Sequence, residues 1–137
     1  MIFVDTNVIS AMLNIVPTPR VEAWLTRHDA ELALPSIVIA EVAFGIQKIR
    51  PDQRANRLDH GLERLRRRFA GRIIPFTEEG ALTYGEIMGK AVRRGIQMSV
   101  ADGMIAAIAM INGGRLATRN VKDFKDTGLT LINPWEP

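Results

Sequence analysis

The residues of this chain best suited to chemistry are acidic. Asp5, Glu41, Asp102 and Asp123 are spread over a 137-residue sequence that contains no cysteine and only two histidines, His28 and His60. The missing cysteines remove disulfides, thiolate metal sites and cysteine nucleophiles. Each histidine sits in a polar stretch away from the other candidate ligands, so a histidine-based constellation is not expected. Chemistry here must use oxygen ligands, the donors preferred by hard cations such as Mg2+, which binds one or two carboxylates and completes its shell with water and substrate phosphate. A bound ion of that kind also activates water at neutral pH, so no histidine base is needed.

Each acid also has an ordinary explanation. Asp5 can cap a helix that follows it. Asp102 lies three residues after Ser99, and Asp123 three after Asn120, the spacing of a capping box. Acidic residues in a first turn also favour the helix dipole. Glu41 is the least easily explained in this way. It stands in Ile37-Val38-Ile39-Ala40-Glu41-Val42-Ala43-Phe44-Gly45, with no cation within six residues on either side. A buried carboxylate costs several kcal/mol unless it is paired, protonated or metal-bound. The alternatives are a salt bridge to a distant arginine or a shared cluster with Asp5 and Asp102, whose repulsion a divalent cation would offset.

The elements that would position these acids can be read from periodicity and turn residues. Ile2-Phe3-Val4 is a short apolar run of β-favouring residues stopping at Asp5, the pattern of a buried strand. Helices are expected over 6–13 and 20–27, and a strand over 31–34. Ser36 is read as the N-cap of the next helix, whose residues 36–49 are apolar on nearly every side and imply deep burial. The segment 51–69 carries Leu58, Leu62, Leu65 and Phe69 at spacings of 4, 3 and 4, an amphipathic helix that would pair with its predecessor as a helical hairpin. A strand over 72–76, a helix over 78–94, a helix from Ser99 to about 111, a strand over 115–118, a helical turn over 120–125 and a strand over 129–132 complete the chain. Alternation of this kind predicts one α/β domain with a mainly parallel sheet flanked by helices. Ligands bind outside the carboxyl ends of such strands. That rule brings Asp5 to the same edge as Asn120 and Asp123.

The net charge of +3 is unevenly placed: eight arginines face only Asp52, Asp59 and Glu63 between residues 50 and 72. Such a patch attracts polyanions or is simply a solvated helix face. The start, MIFVDTNVIS, lacks the basic and apolar regions of a signal peptide, and no apolar run reaches membrane-spanning length. A cytoplasmic protein is expected.

The acids together with their neighbours resemble a known family. Val4-Asp5-Thr6-Asn7-Val8, Glu41 within an apolar helix, Ala101-Asp102 opening a later helix, and Ala117-Thr118-Arg119-Asn120 followed by Asp123-Phe124 are similar to the motifs of the PIN domain, in order and across residues 1–137. Gly71-Arg72-Ile73-Ile74-Pro75-Phe76 and Asn133-Pro134-Trp135 narrow the likeness to VapC-type toxins of bacterial toxin–antitoxin pairs, in the FitB-like branch. The resemblance implies a PIN-like three-layer fold with a helical hairpin insertion and an endoribonuclease dependent on Mg2+ or Mn2+. Asp5, Glu41 and Asp102 would be the metal-site acids, with Asp123 a fourth catalytic acid and Asn7, Thr118 and Asn120 as supports. Asn120 stands where similar proteins carry aspartate, which leaves the fourth position shared between Asn120 and Asp123. The implied partners are RNA, a cognate VapB/FitA-like antitoxin through which operator DNA is bound, and a second copy of the chain. Two rival readings are an aspartyl-phosphate phosphatase, for which Asn7 lacks the needed acid, and a non-catalytic nucleic-acid-binding module using the arginine patch.

Overall fold

The computed structural model describes residues 1–137. Its centre is a five-stranded sheet, entirely parallel, built from β1 (Ile2–Val4), β2 (Leu32–Pro35), β3 (Ile73–Ile74), β4 (Arg115–Ala117) and β5 (Leu131–Ile132). The strands lie in the order β3-β2-β1-β4-β5. Chain direction across the sheet therefore reverses at β1: the early strands step to one side and the later ones to the other. The crevice beside such a reversal, at the carboxyl ends of the strands, is where open parallel sheets bind ligands. β1 and β4 pair there, with Val4 opposite Ala117, so the residues immediately after both strands emerge side by side.

The strands are short and, apart from Arg115 at the exposed start of β4, apolar, because both faces of their sheet are covered. All residues of β1 and β2 are buried, as are Leu116 and Ala117 of β4. The covering helices are α1 (Thr6–Leu13), α2 (Pro19–His28), α3 (Ser36–Ile49), α4 (Arg54–Arg68), α5 (Glu78–Arg93), α6 (Val100–Ile111) and the short α7 (Val121–Phe124). α3 and α4 pack together as the expected hairpin, and α5 packs along α6. Leu65 and Phe69 enter the main core from α4 and its end, which is what the spacing of the apolar residues in that segment requires.

Two expectations about α3 are corrected. Ser36 does not cap it: Pro35 occupies the N-cap and Ser36 is the first helical residue. The Ser36 hydroxyl instead accepts a hydrogen bond from Phe76 N at 3.3 Å, tying the chain after β3 to the start of α3. Nor is the helix deeply buried. Only Val38 and Ile46 are removed from solvent, while Phe44 remains 66% exposed beneath the ammonium of Lys48. The deeply buried helix is α6, where the run Ile105–Ala109 has no exposed surface. Composition marks both helices as apolar, but α6 is held between α5 and the sheet, whereas one side of α3 has no neighbour within the chain.

Candidate active site

Asp5 is the first residue beyond β1. Its backbone N donates to Ala117 O at 3.1 Å, extending the β1–β4 ladder by one bond. Its side chain caps α1, accepting from Val8 N at 3.1 Å. The ordinary explanation for this residue is thus realised, but it is incomplete, because the carboxylate is only 3% exposed and has no cationic partner. Burial pushes its pKa up to about 6, against the Thr118 hydroxyl and the Val8 and Asn7 amides that favour the charge; nearby Asp102 raises it further.

Thr118 follows β4 as Asp5 follows β1. It is fully buried, and its backbone N donates to Ile132 O at 2.9 Å. Its hydroxyl accepts from Asn120 N at 3.0 Å and, lying near Asp5, favours the charged form of that carboxylate. Asn120 precedes α7 without capping it through its side chain, and the turn is closed by Asp123 N donating to Asn120 O at 3.0 Å.

Asp102 lies in the first turn of α6. The Ser99 hydroxyl caps that helix, accepting from Asp102 N at 3.1 Å, and favours the charged form of the Asp102 carboxylate. Desolvation outweighs this influence and raises the Asp102 pKa, with the negative charges of Glu41 and Asp123 adding to the effect. Asp102 is thus the residue through which all four sequence-selected acids are coupled: Asp5 from the end of β1, Glu41 from α3 and Asp123 from α7. Asp102 and Asp123 also line a common cleft with Met98.

Glu41 is half-buried rather than deeply buried, because α3 itself is partly uncovered. The Thr6 hydroxyl donates to its Oε1. No lysine or arginine pairs with it, nor with Asp5, Asp102 or Asp123; the seven ion pairs of the chain all lie elsewhere. The salt-bridge explanation for Glu41 is therefore not realised. Thr6 is the supporting residue that the sequence reading passed over. Its signal is a hydroxyl directly after Asp5, on the first turn of a helix that packs against α3.

No three acidic or histidine side chains are gathered tightly enough to enclose an ion. The donor set is an open arc of oxygens around Asp102, without counter-charge. Asn7 and Asn120 do not join it directly. They line a groove beside it, together with Ser10, Asn14, Arg119 and Trp135.

The PIN domain profile matches residues 2–128. The chain belongs to the PIN-domain family. This PIN domain is 37% identical over 139 residues to the VapC ribonuclease Y4jK of Sinorhizobium fredii, covering 100% of this chain and 99% of that one. It is 38% identical over 137 residues to Toxin FitB of Neisseria gonorrhoeae, covering 98% and 99%. Among solved structures, it superposes on a chain of FitAcB from Neisseria gonorrhoeae with a TM-score of 0.89 and 37% identity over the full length of both chains. A chain of VapBC2 from Rickettsia felis, bound to a DNA fragment from its promoter, gives a TM-score of 0.82 with 27% identity, covering 97% of this chain and 98% of that one. The PIN-like fold and the VapC/FitB resemblance expected from the motifs are thereby established.

The basic segment of this PIN domain is less free than its composition suggests. Arg50, Arg54, Arg67 and Arg68 pair with Asp59, Asp52, Glu63 and Asp29. Arg57 donates to Leu13 O, and Arg72 to the carbonyls of Asp29, Leu32 and Arg68. Of the eight arginines only Arg64 and Arg66 have no such tie; Arg54 and Arg67 pair locally, and the other four fasten α4 and its ends to neighbouring segments.

Proposed function

We propose that this PIN domain is the toxin of a VapBC-type type II toxin–antitoxin pair and acts as an endoribonuclease dependent on Mg2+ or Mn2+. The observation that carries the reading is the set of four carboxylates linked through Asp102 without a compensating cation, at the topological reversal of the sheet, including one that is almost wholly buried. Such an arrangement opposes itself electrostatically unless something positive is bound. The donors are all oxygens, and an arc too open to enclose an ion by itself suits a cation that keeps waters and takes substrate phosphate into its shell.

Asp5, Glu41 and Asp102 would hold the ion, with Asp123 the fourth acid. When bound, the ion supplies charge neutralisation and an activated water for attack on a phosphodiester. The chain's own residues supply orientation. The Val8 amide holds Asp5 and the Thr6 hydroxyl holds Glu41, while Thr118 and Ser99 favour the charged forms of Asp5 and Asp102. Each of these bonds uses part of the accepting capacity of a carboxylate and leaves the rest for a ligand.

The named activities of the relatives support RNA as substrate, and the two-component FitAcB and VapBC2 assemblies support a VapB/FitA-like antitoxin that blocks the site and carries operator DNA. A homodimer, and work in the cytoplasm where transcripts are made, belong to the same reading. The deciding experiment incubates the purified chain with total and transfer RNA. Cleavage should require Mg2+ or Mn2+, vanish in EDTA and vanish in Asp102→Asn. Undiminished cleavage in EDTA refutes metal dependence. RNA binding without any cleavage refutes the enzyme and favours a binding module.

A further inference from the structure

α1 carries Asn7, Ser10 and Asn14 at spacings of three and four residues, on or just beyond its exposed side. Across from them stand Arg119, Asn120 and Trp135, enclosing a mainly polar groove of about 480 Å3, within the range of roughly 300–1,000 Å3 typical of small-ligand sites. The far wall is held in place. Trp135 O accepts from Arg20 at 3.0 Å, and Trp135 N donates to Asn133 Oδ1 at 2.9 Å. The Arg119 guanidinium lies 5.0 Å from the centroid of the indole ring. An indole ring with a guanidinium over it, opposite a row of amides and a hydroxyl, provides a face for a flat ring and donors and acceptors for its edge.

The groove reaches the acidic arc at two points. Asn7 lies two residues beyond Asp5, and Asn120 N is hydrogen-bonded to the hydroxyl of Thr118, the residue after Ala117, whose carbonyl accepts from Asp5 N. A chain of nucleotides with one phosphate at the carboxylates therefore brings a neighbouring nucleotide to this groove. We propose that the groove is the base-reading subsite of the enzyme, receiving one unpaired nucleotide beside the scissile bond. Its base stacks on the Arg119–Trp135 platform, and Ser10, Asn14 and Asn120 read its edge. Sequence-specific RNA recognition uses this combination: bases splayed from single strands, stacked on aromatic rings or guanidinium planes, and hydrogen-bonded at their edges. A duplex keeps its bases stacked and paired, so the substrate class is single-stranded RNA or a loop. The inference rests on the ribonuclease reading and adds the position at which sequence is chosen.

The test separates the two. In EDTA, affinities for short dye-labelled homopolymers of U, A and C are measured by anisotropy for the unaltered chain and for Trp135→Ala, Trp135→Phe, Ser10→Ala and Asn14→Ala, each checked for folding by circular dichroism. Trp135→Ala should lose about tenfold or more in affinity and Trp135→Phe much less, as for a stacking platform. Ser10→Ala and Asn14→Ala, which leave the platform intact, should narrow the differences between homopolymers. With Mg2+ or Mn2+ and a random-sequence RNA pool, Trp135→Ala, Ser10→Ala and Asn14→Ala should still cut but with a relaxed nucleotide preference next to the break, and Trp135→Phe should keep most of it. Unchanged preferences in Ser10→Ala, Asn14→Ala and Trp135→Ala together overturn the subsite while leaving the ribonuclease standing. Equal binding of double-stranded RNA also overturns it, since a duplex offers no free base. Variants that weaken only the capture of a co-expressed antitoxin would make the groove a protein-docking surface instead. Absence of cleavage by the unaltered chain counts against the ribonuclease itself.

Discussion

Replacing Asp5 by asparagine should stabilise the metal-free protein at neutral pH, although it removes the most buried acid of the site. Asparagine caps a helix as well as aspartate does, so the bond from Val8 N survives and the change isolates the charge. Asp5 has its pKa raised from 3.8 to about 6, a difference of about two units, or about 3 kcal/mol at 1.36 kcal/mol per unit. The sign follows from proton uptake. Between these two values the folded state holds a proton that the unfolded state has released, so stability falls as pH rises through about 4 to 6 and is lowest above that window. Above pH 6 both states are ionised and the whole penalty is present; below pH 4 both are protonated and it is absent. Urea unfolding in EDTA should therefore show Asp5→Asn more stable than the parent by about 2–3 kcal/mol at pH 7.5, with the gain shrinking towards pH 4. In melting temperature this is on the order of 10 °C for a chain of this size. Saturating Mg2+ should raise the melting temperature of the parent and not of the variant. A variant less stable than its parent at pH 7.5, or a difference that ignores pH, would refute the claim that Asp5 is held at electrostatic cost.

Other outcomes follow from the same contacts. Thr6→Val removes the hydroxyl that holds Glu41 and should lower RNA cleavage roughly tenfold or more with little loss of fold, with Thr6→Ser restoring most of it. Gly114→Ala would place a Cβ 2.6 Å from the buried Phe3 ring and should cost about 1–3 kcal/mol in urea unfolding. Gly85→Ala, whose Cβ meets open space within α5, should gain up to about 1 kcal/mol in the same measurement. Exchanging Arg64 and Arg66 for glutamate should leave stability nearly unchanged, while Arg72→Glu should be strongly destabilising, because only Arg72 supports three backbone carbonyls.

The fold was legible where local pattern and tertiary partner agree. Ile2–Val4 and 115–118 read as strands from their apolar, β-favouring residues and form the central pair of the sheet, the second ending one residue earlier, at Ala117. The α6 start was readable because the Ser99 hydroxyl caps the helix locally, accepting from Asp102 N. Strand ends in the second half were placed too widely: the expected 72–76 and 129–132 shrink to Ile73–Ile74 and Leu131–Ile132. A strand ends where its neighbour stops offering hydrogen bonds, and that neighbour lies elsewhere in the sequence. The deep burial expected for α3 failed for a related reason, since an apolar helix records a need for partners and not their number.

The same distinction reorders the acids. The sequence made Glu41 the hardest to explain because its neighbours are apolar, yet helical neighbours in sequence surround the axis rather than the side chain. With α3 half uncovered, Glu41 retains access to solvent and a hydroxyl partner. Asp5 looked like an ordinary cap, and it is one, but the capping bond satisfies one oxygen of a carboxylate that β1, β4 and Thr118 have enclosed. Its burial depends on a strand more than a hundred residues away, so no local window could reveal it. Electrostatic cost in this PIN domain therefore concentrates where the two central strands end together. Asp5 is there and Glu41 is not, so charge removal at Asp5 should change metal-free stability far more than charge removal at Glu41.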